Sequence, residues 1–242
     1  MKDIATEELR MEDIEANRFL KSRGLKFPND SRYLSRRHKV LLRKNGYEEK
    51  ESVAALKVIN SEDTVIELGA GLGYMSSLIA AKCQPRAIHS FEANPALIPY
   101  IHAVHRVNGI ETVTVTNALL GARKAKAREF YVRGDFLASS LEDNLGDAHG
   151  GVVRVAEVPV LNVNTVLKEI RPTVMMCDIE GAEVELFAHA DLSCLRAAVV
   201  ELHPQWVGQA GVQAVFDAMA KSGLTYFPRS SNGKVVLFKR DW

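Results

Sequence analysis

The feature that most constrains the fold is an apolar run that ends in an acidic residue and a glycine-rich turn. Residues 64–68 have the sequence TVIEL, and glycine then recurs at alternate positions as Gly69, Gly71 and Gly73. A β-branched apolar run of this length predicts a buried strand. Apolar residues at helical spacing resume after the turn, so the glycines are predicted to lie between a strand and a helix N-terminus. Glycine permits both the sharp turn and the close approach of a ligand to the backbone.

The spacing of these glycines separates two classes of nucleotide-binding site. A dinucleotide site has the pattern G-x-G-x-x-G, in which the third glycine lets the helix pack closely on the strand. This chain has the bulky Tyr74 at that third position. Glu67 precedes the first glycine by two residues, and its carboxylate would repel a pyrophosphate but attract the ammonium group of a methionine moiety. The pattern resembles the first motif of class I S-adenosylmethionine (SAM) methyltransferases, and a glycine-rich turn without a ligand is the weaker interpretation.

A second acidic residue supports this interpretation. Residues 86–91 predict the next strand, and Glu92 follows it. In nucleotide-binding α/β units an acidic residue about 20 positions beyond the glycines, at the end of the next strand, binds the ribose hydroxyls. An exposed helix cap is the alternative, but Asn94 followed by Pro95 already provides that cap. Glu67 and Glu92 together therefore favour a SAM site.

Length and composition bound the class of protein. The 242 residues are sufficient for one large α/β domain, or for a domain with an extension. The formal net charge of +1 gives no indication of nucleic-acid binding. The cysteines Cys83, Cys177 and Cys194 form neither a disulfide framework nor a zinc pattern, so a reducing compartment is predicted. The charged N-terminus and the lack of any stretch near ~20 apolar residues predict a cytoplasmic protein without a membrane span.

Residues 1–46 are predicted to form a helical, basic extension. The first sixteen residues are acidic, whereas ten basic residues between Arg18 and Lys44 accompany only Asp30. A break at residues 27–31 separates this segment from a helix that is predicted to resume near residue 32. The basic run, including Arg36 and Arg37, could bind an anionic group of an acceptor, such as a phosphate, a uronate or an RNA backbone. A solvated helix face explains it equally well, and because no RNA-binding motif accompanies it, nucleic acid is not the expected partner.

Residues 47–242 are predicted to form the main domain, in which strands and helices alternate. Tyr47 begins this domain, and either a lid over the cofactor or a packed side chain accounts for it. A strand over residues 112–116 ends at Asn117, which is predicted to face the adenine because ligands bind outside the carboxyl ends of such strands.

Residues 122–160 interrupt this alternation and predict an inserted antiparallel β-ribbon. Its polar loop contains Ser139 and Ser140, and a ribbon beside a cofactor cleft is a suitable place for acceptor recognition. The segment 225–238 predicts a C-terminal hairpin, because SSNG separates two β-rich runs.

Six short blocks together resemble the FkbM-type methyltransferases, in the order found in that family. They are 65–73 (VIELGAGLG), 91–95 (FEANP), 117–118 (NA), 139–141 (SSL), 178–183 (DIEGAE) and 201–204 (ELHP). The D-x-E-G-x-E block is the most specific of them. Two departures, Met176 in place of a frequent lysine and Val163-Asn164 in place of Leu-Asp, affect the acceptor more than the cofactor.

The resemblance implies an α/β fold and a site for SAM. The fold would be a seven-stranded, mostly parallel Rossmann-like sheet with helices on both faces, an antiparallel strand from the C-terminal hairpin, the inserted β-ribbon and the helical N-terminal extension. The activity would be SAM-dependent O-methylation of a hydroxyl on a sugar, glycan or natural-product acceptor. The implied cofactor-binding residues are Glu67, Gly69, Ala70, Gly71, Gly73, Tyr74, Glu92, Ala93, Asn94, Asn117, Ala118 and Asp178.

An alcohol acceptor must lose its proton during methyl transfer, which requires a base of near-neutral pKa or a metal ion. The candidates are Asp178, Glu180, Glu201 and His203, at the ends of two strands that are adjacent in this fold. Oxygen ligands with one imidazole could hold Mg²⁺ or Mn²⁺. Alternatively, His203 could be the base, with a carboxylate orienting its other nitrogen. We prefer the base without a metal, because no H-x-H or other compact ligand spacing is present.

Two other functions stay open. The acceptor could be a nitrogen of a protein, peptide or RNA, or the chain could be a non-catalytic module that binds nucleic acid or a partner on the same fold. The acidic residues at the predicted ligand-binding edge favour an enzyme with a small-molecule or carbohydrate acceptor. A homo-oligomer is compatible with the sequence.

Overall fold

The computed structural model describes residues 18–133 and 151–242. Its strands, in chain order, are β1 (Phe19–Ser22), β2 (Leu25–Pro28), β3 (Thr64–Leu68), β4 (Ala87–Glu92), β5 (Val113–Asn117), β6 (Leu119–Gly121), β7 (Ala125–Arg133), β8 (Val152–Asn162), β9 (Val174–Cys177), β10 (Ala197–Glu201), β11 (Thr225–Tyr226) and β12 (Val235–Lys239). Its α-helices are α1 (Arg36–Arg43), α2 (Glu49–Val58), α3 (Tyr74–Cys83), α4 (Ile98–Val107), α5 (Val163–Ile170), α6 (Glu183–Phe187) and α7 (Pro204–Lys221). None of the helices in these two ranges is both long enough and apolar enough to cross a membrane.

Seven of the strands form one sheet in the order β11-β12-β10-β9-β3-β4-β5. The strands from β10 to β5 are parallel, whereas β12 is antiparallel to both β10 and β11. Parallel strands that are covered on both faces require apolar side chains at nearly every position, and all the side chains of β9 are buried. The predicted seven-stranded, mostly parallel sheet is confirmed, including the antiparallel strand that the C-terminal hairpin supplies.

Helices cover both faces of this sheet. Successive side chains of a strand point to opposite faces. Val65 therefore joins the hydrophobic core formed with α2, α3 and α4, while Ile66 joins the core formed with α5, α6 and α7. The register pairs Leu68 with both Phe91 and Cys177. The carboxyl ends of the central strands consequently lie at one edge of the sheet, where ligands bind in folds of this kind.

The N-terminal extension differs from the prediction, because its first described part is a β-hairpin rather than a helix. Strands β1 and β2 pair around Arg23 and Gly24, both of which have positive φ, as a tight two-residue hairpin turn requires. Burial alternates along both strands, and Leu20, Leu25 and Phe27 lie in the same core as α3 and α4. Alternation of buried and exposed side chains with a period of two is typical of a strand. It determines the local structure here, although the segment as a whole is basic. The helix predicted to follow is present as α1, and the domain boundary at residue 46 stays a prediction.

The inserted ribbon predicted for residues 122–160 is confirmed for its described part. Strand β7 pairs antiparallel with β8, and β6 pairs in parallel with the other side of β8. The result is a small three-stranded sheet beside the main one. The loop that contains Ser139 and Ser140 lies outside the described residues, so their predicted part in acceptor recognition stays a prediction.

At the edge of the main sheet opposite the ligand-binding edge, Asp63 links the starts of three strands. Its carboxylate accepts hydrogen bonds from Arg196 Nε (2.7 Å), Thr173 Oγ1 (2.7 Å) and the backbone N–H of Asn60 (2.8 Å). Burial alone would raise the pKa of Asp63, but these bonds hold it below its ordinary value. Replacing Asp63 with asparagine should lower the free energy of unfolding by about 2 kcal/mol, because Arg196 then loses its hydrogen bonds to a charged group.

Urea unfolding of the Asp63→Asn variant measures this loss. The control is Glu62→Gln, since the Glu62–Arg86 ion pair is exposed on both sides and surface pairs contribute little. The contribution of Asp63 should be complete above the ordinary pKa of an aspartate and should disappear as the pH falls through the lower pKa of the folded state. Equal losses in the two variants at neutral pH would refute the proposed importance of this link.

Candidate active site

A cavity of about 980 Å³ lies at the carboxyl edge of the main sheet. The ends of four central strands border it, with Gly69 after β3, Glu92 at the end of β4, Asp178 after β9 and Glu201 at the end of β10. Ligand pockets are typically about 300–1,000 Å³. The cavity therefore has room for a cofactor and an acceptor side by side.

The turn between β3 and α3 explains the alternating glycines. Gly69 has a φ of +84°, and a Cβ at this position would lie 1.8 Å from the carbonyl oxygen of Asp178. Gly73 has a φ of +70°, and a Cβ there would lie 3.0 Å from Cγ2 of Ile101 in α4. Only glycine fits where neighbouring segments approach so closely. The turn thereby brings the main chain of Gly69 and Gly71 to the cavity.

Glu92 borders the cavity, and the neighbouring backbone holds its carboxylate in place. Oε2 accepts a hydrogen bond from the N–H of Gly71 (2.8 Å), and Oε1 accepts one from the N–H of Asn94 (2.7 Å). Burial raises the pKa of Glu92 to about 7, although these bonds act in the opposite direction. Each carboxylate oxygen has a second lone pair, so Glu92 can still accept hydrogen bonds from hydroxyl groups of a ligand.

Glu67 is buried beside the large cavity but does not line it. Its Oε1 accepts a hydrogen bond from the backbone N–H of Ser76 (2.9 Å), and its Oε2 accepts one from the Ser90 hydroxyl. Burial raises the pKa of Glu67 to about 7. The residue borders a second cavity of about 20 Å³, which it shares with Glu48 and Glu51. Glu67 thus joins β3 to α3 and β4, and its predicted contact with an ammonium group stays a prediction.

The predicted cofactor residues divide into two groups. Gly69, Gly71, Glu92, Ala93, Ala118 and Asp178 line the large cavity, whereas Glu67, Ala70, Gly73, Tyr74, Asn94 and Asn117 do not. The Tyr74 ring is a core side chain that stacks on Phe27 (5.4 Å between centroids) and meets Tyr47 edge-on (5.1 Å). The Asn117 amide donates hydrogen bonds of 2.8 and 3.1 Å to backbone carbonyls at the end of β4. It therefore fixes the loop after β4, and its predicted contact with adenine stays a prediction.

Two of the residues predicted to bind the acceptor line the cavity. These two residues are Tyr47 and Arg37, which lies at the start of α1. Arg36, the neighbour of Arg37, does not line the cavity. Tyr47 is buried and packed against Tyr74 and His38. It accordingly forms a fixed part of the wall rather than a movable lid. Arg36 and Arg37 are both exposed, which leaves Arg36 on a solvated helix face.

The four predicted catalytic residues converge, together with Glu183, around one imidazole. His203 follows β10 and is only 3% exposed. Its Nδ1 lies 2.8 Å from Oε1 of Glu183, which begins α6 and is 1% exposed. Its Nε2 lies 3.4 Å from Oδ1 of Asp178 and 3.4 Å from Oε2 of Glu180. One potential ligand atom from each of Asp178, Glu201 and His203 lies within 4.8 Å of the other two.

The turn between β9 and α6 has an unusual backbone that places these carboxylates. Glu180 has a φ of +53° and Gly181 a φ of +99°. A Cβ on Gly181 would lie 3.0 Å from the Cβ of Trp206 in α7. Positive φ is uncommon for a residue other than glycine and concentrates at functional sites. The D-x-E-G-x-E motif is therefore a tight turn that brings Asp178 and Glu180 to the cavity.

Five residues form what we call the acidic cluster: Asp178, Glu180, Glu183, Glu201 and His203. This cluster contains more carboxylates than one imidazole can neutralise. Burial, and then the charges of Glu201 and Glu180, raise the pKa of Asp178 well above its usual range. Burial likewise raises the pKa of Glu180. Burial by itself lowers the pKa of His203, but the hydrogen bond and charge of Glu183 outweigh it, so the pKa lies above its ordinary value.

Two features of the site, Glu183 and the apolar side of the cavity, are not predicted from the sequence. The signal for Glu183 was its place in the D-x-E-G-x-E motif, where a third carboxylate follows the same strand. The apolar side depends on how the small sheet and α7 pack on the main sheet, which no local pattern predicts. Its larger side chains are Leu119, Leu120, Phe130, Trp206 and Val207.

One comparison with known proteins bears directly on function. The family model described as "Methyltransferase FkbM domain" matches residues 67–229, which is more than half of the chain. A search of curated protein sequences gives no significant match. Among solved structures the chain is similar to M. jannaschii TYW2 in complex with AdoMet, at 12% identity over 92% of this chain and 85% of that one, with a TM-score of 0.46. It is also similar to a methyltransferase from Pyrococcus furiosus, at 12% identity over 98% of both chains, with a TM-score of 0.48.

Proposed function

Because this chain belongs to the FkbM methyltransferase family, we propose that it transfers a methyl group from SAM to a hydroxyl group of a sugar, glycan or natural-product acceptor. The observation that carries the proposal is that the glycine turn after β3 borders the same cavity as Asp178 and Glu201 of the acidic cluster. A cofactor at the turn and a hydroxyl group at the cluster would therefore lie next to each other.

The residues at the turn fit SAM. Gly69 and Gly71 present backbone without side chains, and Glu92 has lone pairs available for two ribose hydroxyls. Phe91 and Ala118 add apolar surface that suits an adenine ring. When bound, SAM supplies a methyl group on a positively charged sulfur, and the carboxylates of the cavity favour that charge.

Methyl transfer to a hydroxyl group also requires removal of its proton, and the acidic cluster is suited to that step. Asp178 and Glu201 border the cavity directly, while His203 lies behind them and contacts Asp178. The apolar side of the cavity would exclude water and hold the acceptor. Much of the rate enhancement can come from this positioning, because it converts a bimolecular reaction into an effectively unimolecular one.

Methyl transfer to an amine of a protein, peptide or RNA is the second candidate. The acidic cluster favours it, since carboxylates attract a cationic amine. Arg37, which also lines the cavity, favours instead an acceptor that carries an anionic group near its hydroxyl. A non-catalytic module would need neither the acidic cluster nor the glycine turn.

An acceptor screen with SAM that carries a deuterated methyl group tests the proposal. Mass spectrometry of reactions with hydroxylated sugars, natural products, peptides and RNA should detect the labelled methyl group on an oxygen atom. Label found only on nitrogen would support the second candidate. No product from any acceptor, with tight and steeply salt-dependent RNA binding, would favour the non-catalytic module.

Replacing Glu92 with glutamine should weaken SAM binding more than tenfold. Hydrogen bonds to a charged group contribute ~1.5–3 kcal/mol each, and ~1.4 kcal/mol corresponds to a factor of ten in affinity. The amide also leaves the N–H of Gly71 or Asn94 facing another donor. Calorimetric titration with SAM measures the effect, with Glu111→Gln, which changes an exposed carboxylate before β5, as the control. Equal affinities for wild type and Glu92→Gln would exclude a ribose contact at this residue.

Replacing Arg37 with glutamate should raise the KM for an anionic acceptor about tenfold, the effect of losing one charged hydrogen bond, without changing SAM affinity. The matched control is Arg36→Glu, which makes the same charge change one residue away but outside the cavity. Steady-state kinetics with the acceptor from the screen gives both values. If the two variants behave alike, the basic segment does not contribute to acceptor recognition at the cavity.

A further inference from the structure

We propose that Asp178, Glu201 and His203 bind a divalent cation, Mg²⁺ or Mn²⁺, at the wall of the cavity. Its role, to contact the acceptor hydroxyl, rests on the proposed function, whereas the binding site itself does not. The sequence favoured a base without a metal, because no H-x-H or other compact ligand spacing is present in the turns after β9 and β10. The parallel pairing of β9 with β10 brings those turns together.

The geometry of the three residues is close to that of a coordination shell. Their potential ligand atoms lie within 4.8 Å of one another. Mg²⁺ binds oxygen at about 2.0–2.1 Å, so ligands on opposite sides of the ion are about 4.2 Å apart. Because three ligands of one ion cannot all lie opposite one another, these side chains would have to move closer together to close the shell. Asp178 and Glu201 both border the cavity, so the remaining coordination positions would face it.

Asp178 supplies a second, independent observation. Its Oδ1 is buried and forms no hydrogen bond among the residues that the structure describes. A buried carboxylate oxygen without a hydrogen bond is costly, and Nε2 of His203 lies 3.4 Å from it. A cation between these two atoms would satisfy both.

The orientation of the His203 ring also supports a cation site. Its Nδ1 lies 2.8 Å from the buried Glu183 carboxylate, an acceptor, so the proton of the neutral ring belongs on Nδ1. Nε2 then directs its lone pair at Asp178 and Glu180, which are acceptors as well. Metal-binding histidines almost always donate their other ring N–H to a carboxylate or carbonyl. Glu183 would be the positioning residue of this pair.

The ligand set indicates which ion would bind. Two carboxylates, one imidazole and water are suited to Mg²⁺ or Mn²⁺, which prefer oxygen. Glu180 lies 3.4 Å from Nε2 and adds negative charge that favours a divalent ion. A hydroxyl group bound to such an ion would lose its proton more readily, as metal-bound water does.

Titration of the metal-free full-length protein with Mn²⁺, followed by electron paramagnetic resonance, tests the proposal. We expect one Mn²⁺ per chain, and pulsed measurements should show coupling to an imidazole nitrogen. The variants Glu201→Gln and His203→Gln should weaken Mn²⁺ binding more than tenfold, and Glu183→Gln by about tenfold, as expected for a group that orients a ligand. The exposed Glu169→Gln is the control.

Absence of Mn²⁺ binding at millimolar concentration, or binding without nitrogen coupling, would overturn the proposal. The wild-type nitrogen signal keeps the test decisive even where a variant folds poorly, and circular dichroism of each preparation reports on folding. SAM binding without Mn²⁺ binding would refute only the cation site, whereas Mn²⁺ binding without SAM binding would refute only the proposed function.

Discussion

Replacing Gly69 with alanine is expected to weaken SAM binding at least ~100-fold, which corresponds to about 2.7 kcal/mol. The added methyl group would lie 1.8 Å from the carbonyl oxygen of Asp178, far inside contact distance, and the φ of +84° disfavours any side chain. Relief requires the turn or the end of β9 to move. Both border the cavity, so the cofactor loses its backbone contacts whichever segment moves. The free energy of unfolding should also fall by about 3 kcal/mol.

The matched control is Gly109→Ala. Gly109 also has positive φ, +65°, but nothing lies within 4 Å of the Cβ that alanine would add. This variant should lose only about 1 kcal/mol of stability, the intrinsic cost of a side chain in that conformation, and should bind SAM normally. Calorimetry below the melting temperature of each variant separates lost binding from lost folding. Retained SAM affinity in Gly69→Ala would show that the close approach of the two backbones has no part in cofactor binding.

Replacing His203 with alanine is expected to lower turnover by ~10²–10⁴-fold while SAM affinity stays unchanged. In the proposed function, proton removal from the acceptor would depend on the acidic cluster whether His203 acts as a base or holds a cation, because its Nε2 contacts both Asp178 and Glu180. Its other nitrogen is held by Glu183, which fixes the orientation of the ring.

Single-turnover kinetics with saturating SAM measures this loss in the chemical step. The exposed His189, on the loop after α6, provides the matched control as His189→Ala. A drop in SAM affinity alone would assign His203 to the cofactor site. Normal turnover would show that His203 takes no part in the chemical step.

The part of the site that could be predicted from the sequence depends on local patterns. In a parallel sheet, the residues just after buried strands must lie at one edge, so Gly69, Glu92, Asp178 and Glu201 could be brought together without knowing how the helices pack. The glycine spacing likewise required a close backbone approach. The structure identifies the neighbour as the carbonyl of Asp178, a contact between segments far apart in the chain.

The parts that could not be predicted depend on packing between distant segments. The direction of a side chain at the N-terminus of α3 depends on the hairpin that covers it, so Tyr74 is a core residue stacked on Phe27. Glu67 follows the family pattern but bonds to α3 and β4 rather than lining the large cavity. The family fold places Asp178, Glu201 and His203 at the ends of adjacent strands, but the distances between their ligand atoms depend on how the side chains pack.

Calorimetric titration of the purified protein with SAM, and in parallel with NAD, tests the central claim most directly. The carboxylates around the glycine turn favour a cationic cofactor and disfavour a pyrophosphate, so SAM should bind with a stoichiometry of one and NAD should give no heat of binding. The Glu92→Gln variant should weaken the SAM signal, which would tie binding to this cavity. Binding of NAD without binding of SAM would contradict the account.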